Sequence, residues 1–386
     1  MKVGIVGAGP AGSLLAYHLA RDGAQATLFD ASHPREKPCG GCVTAKALAL
    51  LPKAPPDDPL PARFIDTCRL ESGEGEAVEI TLDQPVAIAA RRELDSWLLR
   101  RAKGAGALHV AERVVAMEGK GGVRTTDGRD HAFDIVVGAD GPGSLVRRTL
   151  LGPTPASRLL MAAGWWAPGD SPMTIRFEPT LAGYLWLFPR PDHVGVGICA
   201  PLASVPTRRM LELLETETAR SFPKLCNAGA KRYAHTIPSP SADPASLLVI
   251  AGERWALVGD AAALADPITG EGIYYALRSA QLLAETLRLF GSALTYPARV
   301  LEDCGRELLK AAALSERFYA PGFTRRMIRY GARSAAIREV LADLVLGEQG
   351  YMGLKRRLLR AAPRFLVDSG RALLDGTLSA GSAARP

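Results

Sequence analysis

Val3-Gly4-Ile5-Val6-Gly7-Ala8-Gly9-Pro10-Ala11-Gly12, running on through Ser13–Arg21 to Ala26–Phe29 and Asp30, decides the fold. Val3–Val6 reads as a short buried strand, Gly7–Gly12 as a glycine turn, Ser13–Arg21 as a helix and Ala26–Phe29 as a second strand. Residues 2–30 therefore make one βαβ unit. Glycines let such a turn close tightly and approach a pyrophosphate, whose charge then sits at a helix N-terminus. Asp30 ends the second strand eighteen residues past Gly12, where an acid takes a ribose hydroxyl. Gly7, Gly9, Ala11, Gly12 and Asp30 are expected to hold a dinucleotide, and this turn alone does not separate FAD from NAD.

Outward from that unit, residues 31–61 are loop-rich and proline-rich, with a short helical run at Thr44–Leu51. Residues 64–90 alternate like antiparallel strands, Arg91–Lys103 is an amphipathic helix and Leu108–Val115 a strand, and Phe133–Val137 is a further buried strand. Residues 160–200 read as several strands, Trp255–Val258 as another, and the chain is mostly helical from Gly272 onward. The nucleotide-type motifs lie in three separate segments. The pattern predicts an α/β fold (α+β overall): a discontinuous Rossmann-like domain from 1–63, 88–152 and 248–300, a β-rich substrate domain from 64–87 and 153–247 inserted into it, and a helical region at 301–386.

Composition narrows the class. A chain of 386 residues has room for two domains or one large domain with an insertion. Its 39 Gly and 28 Pro show no period, which excludes a collagen-like chain. No run of apolar residues is long enough for a transmembrane helix, and the motif beginning at Gly7 argues against a cleaved signal. Six cysteines in a chain of this size are expected to be free thiols in the cytoplasm. The net charge of +7 is all in one segment: Glu316–Arg364 holds eleven Arg or Lys against four acids, and the rest is balanced. With neutral bulk charge and no recognition module, nucleic acid is not an expected partner.

Two later stretches separate the cofactors. Gly138-Ala139-Asp140-Gly141-Pro142-Gly143-Ser144 follows the strand ending at Val137, with Arg147 and Arg148 just beyond. Val258-Gly259-Asp260-Ala261-Ala262 follows another strand, and Pro267-Ile268-Thr269-Gly270-Glu271-Gly272-Ile273 then opens a helix. By these three ordered motifs, across residues 1–290, the chain resembles flavoproteins of the p-hydroxybenzoate hydroxylase type. The resemblance implies FAD, with Asp140 in the second motif and Asp260 on the ribityl chain. It also implies Arg91, in Arg-x-x-Leu-Asp, at the phosphates, and the backbone of Val115 on the adenine side. Gly270, Gly272 and Ile273 would set a helix N-terminus against the flavin pyrimidine edge, where a positive dipole end favours the anionic reduced ring. No second GxGxxG is present, so electrons are expected from transient contact with NAD(P)H or a ferredoxin-like donor.

Lys37-Pro38-Cys39-Gly40-Gly41-Cys42 has several readings. As Cys-x-x-Cys it is a redox dithiol or half a zinc site, although no second cysteine pair or His cluster completes a metal site, and no metal is expected. As a bland loop it carries nothing. The run Lys-Pro-Cys-Gly-Gly is similar to the geranylgeranyl reductase family, which implies that Cys39 and Gly40 line the flavin and that Cys42 is an incidental neighbour. Tyr184-Leu185-Trp186-Leu187-Phe188-Pro189 puts Tyr184, Trp186 and Phe188 on one strand face, either as packing or as a wall for an apolar ligand. Tyr-x-Trp-x-Phe-Pro is again a feature of geranylgeranyl reductases and implies substrate contact there; flavin halogenases carry Trp-x-Trp-x-Ile-Pro, from which Tyr184 and Phe188 depart.

Phe323–Leu346 and Leu354–Leu366 have helical apolar spacing with arginines between. They read as a solvated helix face covering the cofactor domain, or as a surface for anionic lipid or a diphosphate head group. The expectation is an FAD-dependent reductase that saturates the double bonds of a polyprenyl lipid or diphosphate, cytoplasmic and in peripheral contact with the membrane. Cys39 and Tyr184 are the candidate catalytic residues. An aromatic or polyketide monooxygenase is the alternative, and a flavin electron carrier to quinone the third reading.

Overall fold

The computed structural model describes residues 1–361 other than Lys120, Asn227, Ala228 and Pro321. The part of the expected Leu354–Leu366 helix beyond residue 361 lies outside the described residues. Lys2–Val6 is central in a six-stranded sheet ordered Ala251–Gly252, Trp255–Leu257, Ile135–Gly138, Lys2–Val6, Gln25–Phe29, Leu108–Val110. Five strands run parallel, and only the edge strand Ala251–Gly252 is antiparallel to its neighbour. Such a sheet is covered on both faces and needs apolar residues at successive positions; Val136, Val137 and Leu257 are fully buried. Helices Pro10–Arg21, Arg91–Gly104 and Ile273–Phe290 pack beside one another on it.

Two expected boundaries move. The first helix begins at Pro10, not Ser13, because proline at the first helical position has no N–H to waste and a φ already suited to the helix. The expected strand Leu108–Val115 is two strands: Leu108–Val110 pairs with Gln25–Phe29, and Val114–Glu118 joins a three-stranded sheet with Gly122–Thr125 and Asp130–Ala132. The link at 111–113 is largely solvent-facing, which frees the chain to change sheets. The helical run at Thr44–Leu51 contracts to Ala45–Leu48.

The second sheet has eight strands, ordered Tyr233–Pro238, Leu159–Ala167, Val194–Pro201, Tyr184–Pro189, Thr174–Phe177, Arg63–Ser72, Ala77–Ile88, Cys42–Val43. Two stretches distant in sequence, 63–88 and 159–238, thus share one sheet, joined by the parallel pairing of Arg63–Ser72 with Thr174–Phe177. Period-2 alternation sorts its faces. Leu185 and Leu187 pack with Met210 and Leu214 of the helix Thr207–Ser221, while Trp186 and Phe188 face the opposite way into a separate core.

That opposite face is where the C-terminal helices lie. Ile328, Ile337, Leu341 and Leu346 pack with Val78, Ile80 and Val86 of the eight-stranded sheet, so the basic helices cover this sheet and not the cofactor sheet, as one reading of the sequence had expected. The single helix expected over Phe323–Leu346 is two, Phe323–Arg333 and Ala335–Leu346. Ser334 between them is extended, and the Arg338 guanidinium donates back to the Gly331 carbonyl at 2.9 Å, closing the first helix. A further helix spans residues 351–361. Among the described residues no helix is long and apolar enough to cross a membrane.

Candidate active site

Residues from all three sheets and the C-terminal helices line one cavity of about 1180 Å³. Its nucleotide part begins at the Gly7–Gly12 turn. A Cβ at Gly12 would sit 1.9 Å from the Gly7 carbonyl oxygen, and one at Gly7, whose φ is +100°, 2.4 Å from the Ala139 carbonyl oxygen. Both glycines let strand, helix and second motif close on one another. Gly9 differs, because a Cβ there would meet only side-chain ends at ordinary contact distance: guanidinium nitrogens of Arg35 at 3.8 Å and Arg91 at 4.0 Å, and a carboxylate oxygen of Asp95 at 4.0 Å. Gly7, Gly9 and Ala11 line the cavity, with the N-terminus of Pro10–Arg21 facing it; Gly12 lies behind them and packs the helix.

Asp30 also faces the cavity. Its Oδ2 accepts the Ala8 amide at 2.9 Å, and its Oδ1 the Ser32 amide at 2.8 Å. Burial opposes its charge, but these bonds and the Ser32 hydroxyl outweigh it and hold the carboxyl below the usual range. Arg91 is buried and grips Asp95 through two bonds, at 2.7 and 2.8 Å. Asp140 caps the helix Leu145–Leu151 through Oδ2, at 2.7 Å from the Leu145 amide, while its buried Oδ1 has no protein partner. Val115 lies on the cavity rim, half exposed.

Deeper in, Asp260 meets Lys37, with Nζ 2.9 Å from Oδ2. Burial raises the Asp260 pKa, but Lys37, then His235 and Arg91, overcome this and keep it ionised. His235 stands in the same wall; burial, reinforced by Lys37, pushes its pKa down to about 4. Its Nε2 is buried without a protein partner. Gly272 caps the 18-residue helix Ile273–Phe290 beside Asp260, and Gly270, Gly272 and Ile273 all face the cavity.

Cys39 and Gly40 come next. The Cys39 thiol accepts the Gly41 amide at 3.3 Å, and the Cys39 carbonyl is held by Arg190, which is fully buried and pairs with Glu36 at 2.9 Å. Glu36 in turn accepts the Arg91 and Arg92 amides at the start of Arg91–Gly104. Cys42 lies on its short strand against Ile88, its enclosure raising the thiol pKa far above the ordinary value. All six cysteines are free.

Beyond them stands an aromatic wall. Trp186 crosses Gly197, where a Cβ would meet its ring at 2.0 Å, and Phe188 covers Gly40, where one would meet it at 2.7 Å. Phe188, Trp186, Tyr184 and Phe177 follow one another with ring centroids 6.0–6.4 Å apart, and Phe318 and Tyr319 continue the row from Phe177. The Trp186 Nε1 is buried and unpartnered. Three tyrosines hold the loop before Ile273: Tyr184 donates to the Thr269 carbonyl, Tyr319 to that of Ile268 at 2.7 Å, and Tyr351 to Oδ1 of Asp266 at 3.3 Å.

Sequence reasoning missed Arg35, His235, Asp266 and the aromatics Phe177, Phe318 and Tyr319, which carry no local motif. Lys37 lay inside a stretch already singled out, but its partner Asp260 is distant in sequence, and Tyr351 fell between the two late helical stretches. Among the described residues no group of three or more His, Cys, Asp or Glu side chains is arranged to hold a metal. The residues present fit a dinucleotide: a glycine turn facing Arg35 and Arg91, both of which pair with Asp95, two helix N-termini, and three unpartnered buried polar atoms on the walls.

A dinucleotide-binding α/β domain that opens onto an aromatic chamber defines an FAD-dependent oxidoreductase. The FAD binding domain family matches residues 1–221. The chain is 28% identical over 307 residues to geranylgeranyl diphosphate reductase of Rhodobacter capsulatus, covering 74% of each. It is 28% identical over 345 residues to menaquinone reductase of Mycobacterium tuberculosis, covering 83% of this chain and 84% of that one. Digeranylgeranylglycerophospholipid reductase 1 of Methanopyrus kandleri is 30% identical over 307 residues, 73% of this chain and 78% of that one. In structure, a geranylgeranyl bacteriochlorophyll reductase-like protein of Thermoplasma acidophilum superposes with TM-score 0.76 at 20% identity, over 93% of this chain and 98% of that one. A flavin-dependent brominase gives 0.71 at 18% identity, over 94% and 98%; at such identities the likeness speaks for fold alone. The chain belongs to the FAD binding domain family and, within it, to the family of proteins named for geranylgeranyl reduction.

Proposed function

We propose that the protein saturates carbon–carbon double bonds of a polyprenyl chain of geranylgeranyl type, carried on a lipid or a diphosphate. The observation supporting this is continuity: the cavity that begins at the dinucleotide turn runs on along Trp186, Tyr184 and Phe177 to Met327, Ile328, Leu341 and Leu358. A long apolar chamber with few polar groups suits a flexible hydrocarbon. The relatives' names, reductases of geranylgeranyl diphosphate, menaquinone and a digeranylgeranyl phospholipid, point the same way.

Gly7, Gly9, Ala11 and Arg91 would hold the FAD pyrophosphate, Asp30 a ribose hydroxyl, the Val115 backbone the adenine side and Asp260 the ribityl chain, with Asp140 Oδ1 completing its bonding on the same cofactor. Gly270, Gly272 and Ile273 would set the helix N-terminus against the flavin. Hydride for one alkene carbon is the chemistry that FAD would supply when bound and reduced. The protein's share is to align the chain along Tyr184, Trp186 and Phe188, to exclude water with the C-terminal helices, and to deliver a proton to the other carbon. Cys39 and Tyr184 are the candidates for that proton. Burial raises the Tyr184 pKa well above its usual value, so the phenol stays protonated, and its O–H must leave the Thr269 carbonyl to act. Electrons would come from NAD(P)H or a ferredoxin-like protein in transient contact.

The test is anaerobic: reduce the holoprotein chemically, add geranylgeranyl diphosphate or a geranylgeranylated lipid, and follow flavin reoxidation and product mass. Reoxidation with a gain of two hydrogens per double bond is expected. No reoxidation without air, with oxygen insertion into an aromatic substrate in air, would move the protein to the hydroxylases.

A further inference from the structure

The helix 351–361 has two unlike faces. Tyr351 and Ala361 are buried, and Leu354 and Leu358 line the cavity. At 100° per residue, Met352, Lys355, Arg356, Leu359 and Arg360 fall within an arc of roughly 140° on the other side, and all five are exposed, Met352 by 56% and Leu359 by 64%. Arg357, between these faces, turns inward to Asp343 and Gln349. Lys355, Arg356 and Arg360 have no ion pair among the described residues. On the two helices before it, Arg325 pairs with Glu74 and Glu76 and Arg338 donates to backbone carbonyls, while Arg326, Arg329 and Arg333 make no ion pair among the described residues. One layer of helix therefore separates the apolar cavity from a strip of free cations interleaved with two large exposed apolar side chains.

We propose that this outer face of helix 351–361 seats the protein on an anionic lipid bilayer, with its inner face roofing the cavity. Charge and shape argue for that occupant: apolar side chains for the acyl boundary, flanked by cations for phosphate head groups, on one side of an amphipathic helix. A bilayer-resident prenyl chain then reaches the cavity past Leu354 and Leu358 without crossing water. The route for the chain rests on the function proposed above; the docking does not.

The test is flotation of the full-length holoprotein with phosphatidylcholine vesicles, with and without phosphatidylglycerol. Wild type is expected to float with anionic vesicles and to be released by salt. Replacing Lys355, Arg356 and Arg360 together by Gln should weaken that partition by about 100-fold, at about 1 kcal/mol per basic residue. Leu359→Ser should weaken it by about 10-fold. A matched triple on other faces, Arg129→Gln, Arg208→Gln and Arg209→Gln, should change nothing. Absence of wild-type flotation, equal flotation of the Lys355/Arg356/Arg360 variant, or equal loss in the matched triple overturns the docking. With a geranylgeranylated lipid, the Lys355/Arg356/Arg360 variant should lose rate when the lipid is in vesicles and keep it in detergent. Loss of flotation in that variant while no protein reduces the lipid in either format would overturn the reaction and leave the docking standing.

Discussion

Lys37 Nζ stands 2.9 Å from Oδ2 of Asp260, across 223 positions of sequence. Each side chain is more than four-fifths buried, and the pair ties the cysteine-bearing loop to the turn that opens the helix Ile273–Phe290. The loop is thereby fixed against that turn in the cavity wall. Breaking such a pair from one side leaves a buried charge and costs about 3–5 kcal/mol. Lys37→Met should therefore lower unfolding stability by about 3 kcal/mol, and Lys37→Met with Asp260→Asn should recover part of that loss. Asp260→Ala should lose flavin whichever residue stands at 37. Denaturant unfolding and the ratio of flavin to protein absorbance check both; full flavin occupancy in Asp260→Ala would remove Asp260 from the site.

His235 makes this region sensitive to acid. In the fold it titrates at about 4, held down by burial and then by Lys37, against an ordinary value of about 6.5. The unfolded chain therefore takes up the proton first, and stability falls as pH drops from about 6.5 to about 4. Above that window the residue contributes no slope. His235→Asn should flatten the wild-type decline in this interval and leave the profile from pH 7 to 9 unchanged. Melting curves across the range decide it, and an unaltered acid slope in the variant would contradict the assignment.

The two cysteines of the Cys-x-x-Cys run should part company. Both residues line the cavity, but the Cys39 thiol receives the Gly41 amide, whereas Cys42 sits on a strand paired to Ile88, where burial holds its thiol protonated. Cys42→Ser should keep flavin content and turnover within about 2-fold, and Cys39→Ser should lower turnover by about 10-fold or more, the usual scale for a general acid being larger still. Equal losses in both variants, with a disulfide appearing on oxidation, would restore the dithiol.

How far the sequence told this story depends on the range of the interactions. The Gly7–Gly12 turn, the Asp140 and Asp260 motifs and the alternation of Tyr184, Trp186 and Phe188 are local patterns, each readable because strand period or turn geometry fixes it within a few residues. The helix break at Ser334 was missed: Ser334 is a residue type that starts helices and Gly331 lies three positions before it, but the apolar stripe runs on through both, and the Arg338 contact back to the Gly331 carbonyl is visible only in the fold. The destination of the basic helices was misjudged for a related reason. Their apolar stripe announces that they pack, and only tertiary contact with Val78, Ile80 and Val86 says upon what. Arg35, His235 and Asp266 sit in the site through the meeting of remote segments, and single-sequence spacing holds no record of that.

Trp186 tests the aromatic wall. Its ring spans Gly197 and its Nε1 lacks a protein partner, so it touches the cavity without carrying the fold of the nucleotide turn. Trp186→Ala removes wall area and opens the chamber. The expected result is a KM for prenyl substrate raised by about 10-fold or more, with flavin content unchanged, because a buried aromatic contributes about 1.5–3 kcal/mol. An unchanged KM would return these side chains to a purely packing role.

Asp266 offers a test of opposite sign to His235. Burial raises its carboxyl pKa, and the Ile268 and Thr269 amides, at 2.7 and 2.9 Å, together with Tyr351, only partly offset this. A carboxyl raised in the fold favours folding while protonated, and that contribution is lost as pH climbs through the folded value. Wherever wild type carries the ionised form, that form is a buried charge that burial opposes. Asp266→Asn keeps an acceptor oxygen for both amides and for Tyr351, and removes the charge. The variant should gain stability over wild type at pH 8 and show little or no gain at pH 4. Equal differences at the two pH values would mean that Asp266 titrates normally, and a uniform loss would mean that the carboxylate charge itself holds the loop at Ile268–Gly270.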